Sequence, residues 1–152
     1  MDIEALCEVW RINNAINLEM LDACDEKLHF ELKPGKGKTI RSNFVHMIGV
    51  RKMWMEEKMK KESALIPKLD WKTAKKSEIK KALQLSSEMM MELFRKYAAA
   101  KKPDADLKTL RFFAYCVAHE AHHRAQIEIA LRINGHEPDD KFLYGLWEWS
   151  KK

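Results

Sequence analysis

Three features of the 152-residue chain predict an all-α fold, a four-helix bundle with a short C-terminal helical segment. Apolar residues recur at helical spacing through four long stretches. Helix breakers separate those stretches, at Lys33-Pro-Gly-Lys-Gly-Lys38, Pro67, Pro103 and Gly135. No segment alternates apolar and polar residues over a strand's length, and no turn dipeptide joins two such runs. A chain of this length supports one sizeable core. It has no repeat and no low-complexity tract, so one domain over residues 1–152 is expected.

The elements follow in order. Ile3, Leu6, Cys7, Trp10, Ala15, Leu18, Leu21 and Ala23 mark a first helix over about 2–28, which must end before the Pro-Gly breaker. Thr39 or Ser42 can cap a second helix running to about Lys61. A connector carrying Pro67 leads to Ser77, the expected cap of a third helix over about 78–100, with Glu78 early and Lys96 late as the helix dipole prefers. The fourth helix runs from about Leu107 to Asn134 and stops at Gly135. Asp140 to Trp149 is short, aromatic and read as helical.

Composition narrows the function classes. Gly and Pro are few, 5 and 4, which argues against a disordered or fibrous chain. The longest apolar run, Phe112 to Ala118, is far below the ~18–20 residues a membrane helix needs. Asp2 and Glu4 stand where a secretory leader would carry Lys or Arg. Three widely spaced cysteines, Cys7, Cys24 and Cys116, do not make a disulfide framework and read as small buried hydrophobes. A cytoplasmic location is therefore expected. The net charge of +5 is concentrated in lysines from Lys58 to Lys81, interspersed with Glu and read as a solvated face that can attract a small anion. No nucleic-acid-reading motif accompanies them, so neither nucleic acid nor a membrane is the expected partner.

The chemistry-bearing residues are histidines. His29 and His136 lie beside breakers and read as solvated. His119 and His123 stand at i and i+4, about 40° apart on one helical face. That face also carries Phe112, Tyr115, Cys116, Gln126, Ile127 and Ala130. Two imidazoles on an apolar face need partners. They could be hydrogen-bonded core histidines or share a metal, for which this spacing is standard. Outside the fourth helix, His46 is the only histidine in the middle of a long helix, on a face with Val50, Met53 and Trp54. Facing helices of a bundle can bring His46, His119 and His123 to one point. The far side of the His46 helix is apolar too, with Phe44, Ile48, Met55 and Met59, so it can bury against another helix or a second copy. His122 and Arg124 flank the site. Glu120 and Glu57 are the carboxylates within sequence reach of its rim, and no general base is evident. His119-Glu-Ala-His-His123 also satisfies the short H-E-x-x-H pattern of zinc proteases, but the chain shows no strand to bind a peptide edge-on.

Ala118-His-Glu-Ala-His-His-Arg-Ala-Gln-Ile127, with Leu131-Arg-Ile-Asn-Gly135 and the acidic-aromatic tail, resembles the late motif of the DinB/YfiT-like superfamily. Ser42-Asn-Phe-Val-His-Met47 is similar to that family's early histidine-bearing helix. Ala125 stands where the family usually has Gly. The resemblance covers nearly the whole chain. It implies a four-helix bundle with His46, His119 and His123 as a metal triad for a divalent ion, zinc or nickel, and often a homodimer. It further implies a transferase acting on a small electrophilic substrate with a low-molecular-weight thiol such as bacillithiol, mycothiol or glutathione. A metal-dependent hydrolase and a non-catalytic metal-binding or dimeric interaction module are the alternatives.

Overall fold

The computed structural model describes residues 1–152. It contains helices α1 (Ile3–Ala23), α2 (Glu26–His29), α3 (Ile40–Lys58), α4 (Lys60–Ser63), α5 (Lys76–Ala98), α6 (Ala105–Ile133) and α7 (Asp140–Gly145). A single 3₁₀ turn, Trp149–Lys151, follows, and there is no strand. The four long helices α1, α3, α5 and α6 form the bundle. α5 packs on α1 and α3, and α6 packs on α3, α5 and α1, which leaves α1 and α3 on a diagonal. The first connection must therefore cross the bundle end, and it does so through α2 and the Lys33–Lys38 loop.

The long first helix expected from periodicity is two helices. Asp25 breaks it by accepting hydrogen bonds from the N–H groups of Lys27 and Leu28, 2.8 and 2.9 Å, which starts α2 afresh. Lys76 Nζ then donates to the carbonyls of Asp22 and Cys24 at the frayed end of α1. Thr39, not Ser42, caps α3, its Oγ1 accepting from Ser42 N–H at 3.1 Å. α3 ends at Lys58 and a separate turn, α4, follows. Ser77 does not cap α5, which begins at Lys76. Its first free N–H groups are met by acids instead: Lys75 N–H donates to Glu78 and Lys76 N–H donates to Glu26, 2.7 and 2.6 Å. Gly135 stops α6 as expected, at φ +78°, where a side chain would be strained.

The core is aromatic at its centre. Trp10 meets Phe94 edge-on at 5.3 Å, Phe94 meets Phe113 at 5.4 Å, and the Trp10 indole N–H donates to Ser87 O at 3.2 Å. Met90 and Met91 are buried, as adaptable core residues should be. Phe44, Ile48, Met55 and Met59 are buried within the chain, so the second apolar side of α3 offers no face to a second copy. Unpartnered aromatic surface lies in the tail instead: Tyr144 and Trp147 are 73% and 79% exposed beside a groove between α1 and α6. The lysines from Lys58 to Lys81 are exposed except Lys76 and Lys80, which hold the end of α1. All three cysteines are free and buried, and burial pushes the Cys24 and Cys116 thiols up to about 12. Native protein is therefore expected to react with a disulfide reagent only on unfolding; fast labelling of any thiol in the folded chain would contradict this packing.

Candidate metal centre

α3 and α6 run side by side, and this brings His46 next to the His119/His123 pair. Ring centroids are 4.6 Å apart for His46–His123, 5.4 Å for His46–His119 and 4.6 Å for His119–His123. One nitrogen from each ring lies within 4.8 Å of the others, and no carboxylate joins them. The two α6 nitrogens, both Nε2, are 3.2 Å apart. A tetrahedral ion with Zn–N bonds of ~2.0–2.1 Å needs nitrogens about 3.3 Å apart. That edge is thus already formed, and His46 stands at the third corner on the facing helix, within 4.8 Å of the other two.

Asn43 decides which nitrogen of His123 faces the cluster. Its Nδ2 donates to the carbonyls of Lys38 and Thr39, 3.3 and 3.0 Å. This orients the amide with Oδ1 toward His123, whose Nδ1–H donates to it at 2.8 Å. Nε2 is left with its lone pair directed at the other two rings. A fixed tautomer held by a neighbouring carbonyl is how metal-binding imidazoles are usually prepared. The donor set therefore fits a divalent ion of intermediate softness, with room for a further ligand.

The rings are poised to be neutral. Burial, then the neighbouring His119 and His46, push His123 down to about 3. Burial also lowers His46, assisted by Lys38 and His119. His119 is lowered by burial despite the opposing charge of Glu120. The unfolded chain therefore binds protons that the folded chain refuses. This contribution to stability is complete above about pH 6.5, the unfolded value, and is lost as pH falls toward the folded values. Metal-free protein is expected to melt at steadily lower temperature between about pH 7 and about pH 4, and His123→Gln should flatten that slope. A wild-type profile no steeper than the variant's would contradict neutral, buried imidazoles.

The rest of the expected site divides. His122 is exposed, with its ring 5.2 Å from His123 but no hydrogen bond to it. Tyr115 stacks on His119 at 5.9 Å and shields one flank, although it is 46% exposed rather than in the core. Met53 is exposed and Val50 and Trp54 are half-buried, so the His46 face meets the bundle's edge rather than its centre. Glu57 is exposed, about 16 Å along the helix from His46 at 1.5 Å per residue. His29 and His136, read as solvated, pair with each other at 4.8 Å, away from the triad.

Glu120 does not reach the rim. Its side chain points into the bundle, where Arg51 grips it through two bonds, Nε to Oε1 at 2.6 Å and Nη2 to Oε2 at 3.0 Å. Asn13 and Asn17 each add a bond of 2.7 Å to Oε2. Arg51 spends its remaining donors on Asn14 Oδ1, Leu83 O and Ser86 Oγ, at 2.9, 2.9 and 3.0 Å. Arg124 donates to Asn13 and Asn17 from the far side. All five guanidinium N–H groups are used, and the carboxylate accepts four bonds, three at Oε2 and one at Oε1. Burial alone would raise the Glu120 pKa, but the Arg51 charge and the bonds from Arg51 and Asn17 outweigh it and hold the carboxyl below its ordinary range. Glu120 is therefore an ionised acceptor committed to partners inside the bundle. This removes the general base that a zinc protease would need from H-E-x-x-H.

Sequence reading missed this layer. Its signal was present: Asn13, Asn14 and Asn17 interrupt the apolar stripe of the first helix at positions that must be buried.

A model of the DinB family matches residues 3–148. No curated protein and no solved structure matches the chain. With its all-helical bundle and the late His-x-x-x-His motif on α6, the chain belongs to the DinB family.

Proposed function

We propose that His46, His119 and His123 hold one divalent ion, zinc or nickel, and that the protein uses it to transfer a low-molecular-weight thiol to a small electrophilic substrate. The observation that carries this reading is the convergence of three neutral imidazole nitrogens, one of them fixed by Asn43, with no carboxylate among them. A divalent ion held by neutral ligands keeps its full charge and, when bound, lowers the pKa of a thiol or water beside it. The chain's own groups do the rest. Asn43 keeps the His123 lone pair turned inward, and burial keeps the ring unprotonated near neutral pH. Tyr115 covers one side of His119 and limits water there. The nucleophilic sulfur must come from outside, because Cys116, the cysteine nearest in sequence to His119, is buried with its thiol pushed up to about 12. Transfer forms a carbon–sulfur bond, the thiol proton passes to solvent, and any leaving group departs with its electron pair. Hydrolysis finds less support, since Glu120 is committed to Arg51 and no other acid joins the cluster.

Metal content by mass spectrometry, followed by a conjugation assay with glutathione and 1-chloro-2,4-dinitrobenzene, tests the reading. About one ion per chain is expected, with conjugation that stops on chelation and returns on adding metal. Metal-dependent ester cleavage without conjugation would mean a hydrolase. Metal held with neither activity would mean a binding module. No metal uptake would sink the reading.

A further inference from the structure

We propose that the cavity at the start of α3 binds the anionic end of the small molecule that reaches the histidine cluster, a carboxylate or phosphate ester held by Lys38 and Lys33 with its organic body against Trp71. The inference rests on the proposed function for its purpose but not for its geometry.

The cavity has a volume of about 460 Å³, within the range of small-molecule sites. Its wall includes Lys33, Lys38, Thr39, Ser42, His46 and Trp71, and no acid. His46 thus belongs both to the cluster and to this cavity, so a molecule seated here meets the cluster at His46.

The two lysines are held by their backbones and free at their ammonium groups. The Lys38 carbonyl accepts from Asn43, the residue that orients His123. The Lys33 carbonyl accepts from Asn134 Nδ2 at 3.1 Å, at the end of α6. Lys80 and Lys96 are paired with Asp22 and Glu62, but neither Lys33 nor Lys38 has a carboxylate partner. The charge of Lys38 is felt by all three imidazoles. Were the three imidazoles to hold an ion, an unpaired Lys38 beside it would be unfavourable until an anion joined them.

The backbone of α3 cannot serve that anion. Its first four N–H groups are spent on Leu32 O, Phe30 O, Thr39 Oγ1 and Thr39 O. Side-chain ammonium groups must carry the recognition, aided by the positive end of the helix dipole. Trp71 is 56% exposed on a turn that Arg41 holds by donating to Lys72 O. Lys72 Nζ lies 4.8 Å from its ring centre. An indole held at the mouth of a basic cavity is a surface for the flat or apolar part of a ligand.

The test uses the full chain without metal, titrated with benzoate, phenyl phosphate and the neutral benzyl alcohol. Binding is followed by NMR at the Trp71 indole N–H (assigned with Trp71→Phe) and at the His46 ring protons. Both anions should move both signals and bind about tenfold or more tighter than the alcohol, more weakly as salt rises. Comparing the two anions decides between carboxylate and phosphate. Lys38→Met and Lys33→Met should each weaken anion binding about three- to tenfold while the alcohol is unaffected. Both residues are exposed, so the variants should melt with wild type. Equal affinity for the alcohol, unmoved Trp71 and His46 signals, or full anion affinity in the double variant would overturn the proposal. A parallel cobalt(II) titration separates the two readings. Cobalt bound without anion binding sinks the cavity proposal alone, and anion binding without cobalt sinks the metal reading alone.

Discussion

Arg51→Ala is expected to lower the unfolding free energy by about 3–5 kcal/mol, because it leaves the Glu120 carboxylate buried without its counter-charge. The pair is 2% and 3% exposed at its side chains, so water cannot replace the lost partner. Asn14, Ser86 and the Leu83 carbonyl lose their donor in the same step. For a chain of this size the melting temperature should fall by roughly 6–20 °C. The network joins all four long helices, through Asn13, Asn14 and Asn17 on α1, Arg51 on α3, Ser86 on α5 and Glu120 with Arg124 on α6. Arg51→Met, Glu120→Gln and the double variant, compared by urea denaturation, should be strongly non-additive. A cost below about 1 kcal/mol for Arg51→Ala would mean that the pair is no better than a surface ion pair. Because Glu120 adjoins His119 on α6, loosening the network should also weaken metal binding.

The second large effect concerns the metal. His119→Ala and His123→Ala are expected to abolish tight binding of zinc or nickel, since two imidazoles cannot replace three. Asn43→Leu should weaken binding about 10–100-fold with all three histidines intact, because nothing then holds the Nδ1–H tautomer and ring orientation of His123. Competition with a chromophoric chelator measures all three. His122→Ala, on the exposed side of α6, and His136→Ala, in the distant pair with His29, should change nothing. Unchanged affinity in Asn43→Leu would show that the 2.8 Å contact does not order the site. Retention of metal by His123→Ala would remove His123 from the ligand set.

Much of this molecule is written in local pattern. The four long helices follow from apolar spacing and from Pro and Gly at their borders, features that act within a few residues and need no fold to be read. The pairing of His119 with His123 is equally local, since it follows from helix pitch. Helix ends were less legible. Lys75 and Lys76 replace Ser77 at the start of α5 because Glu26, distant in sequence, supplies an acceptor.

Only the tertiary structure decided the rest, because packing between helices distant in sequence sets which polar side chains meet. Helical spacing placed Glu120 about 100° from His119, but not whether it turned to the rim or to Arg51 across the bundle. The inward nitrogen of His123 depends on an amide of α3 that is itself oriented by two carbonyls of the preceding segment. The basic cavity exists because the crossing between α1 and α3 lays Lys33 and Lys38 beside His46 and Trp71. The sequence by itself determined the helices and the candidate ligands; the packing of α3 against α6 determined which side chains meet.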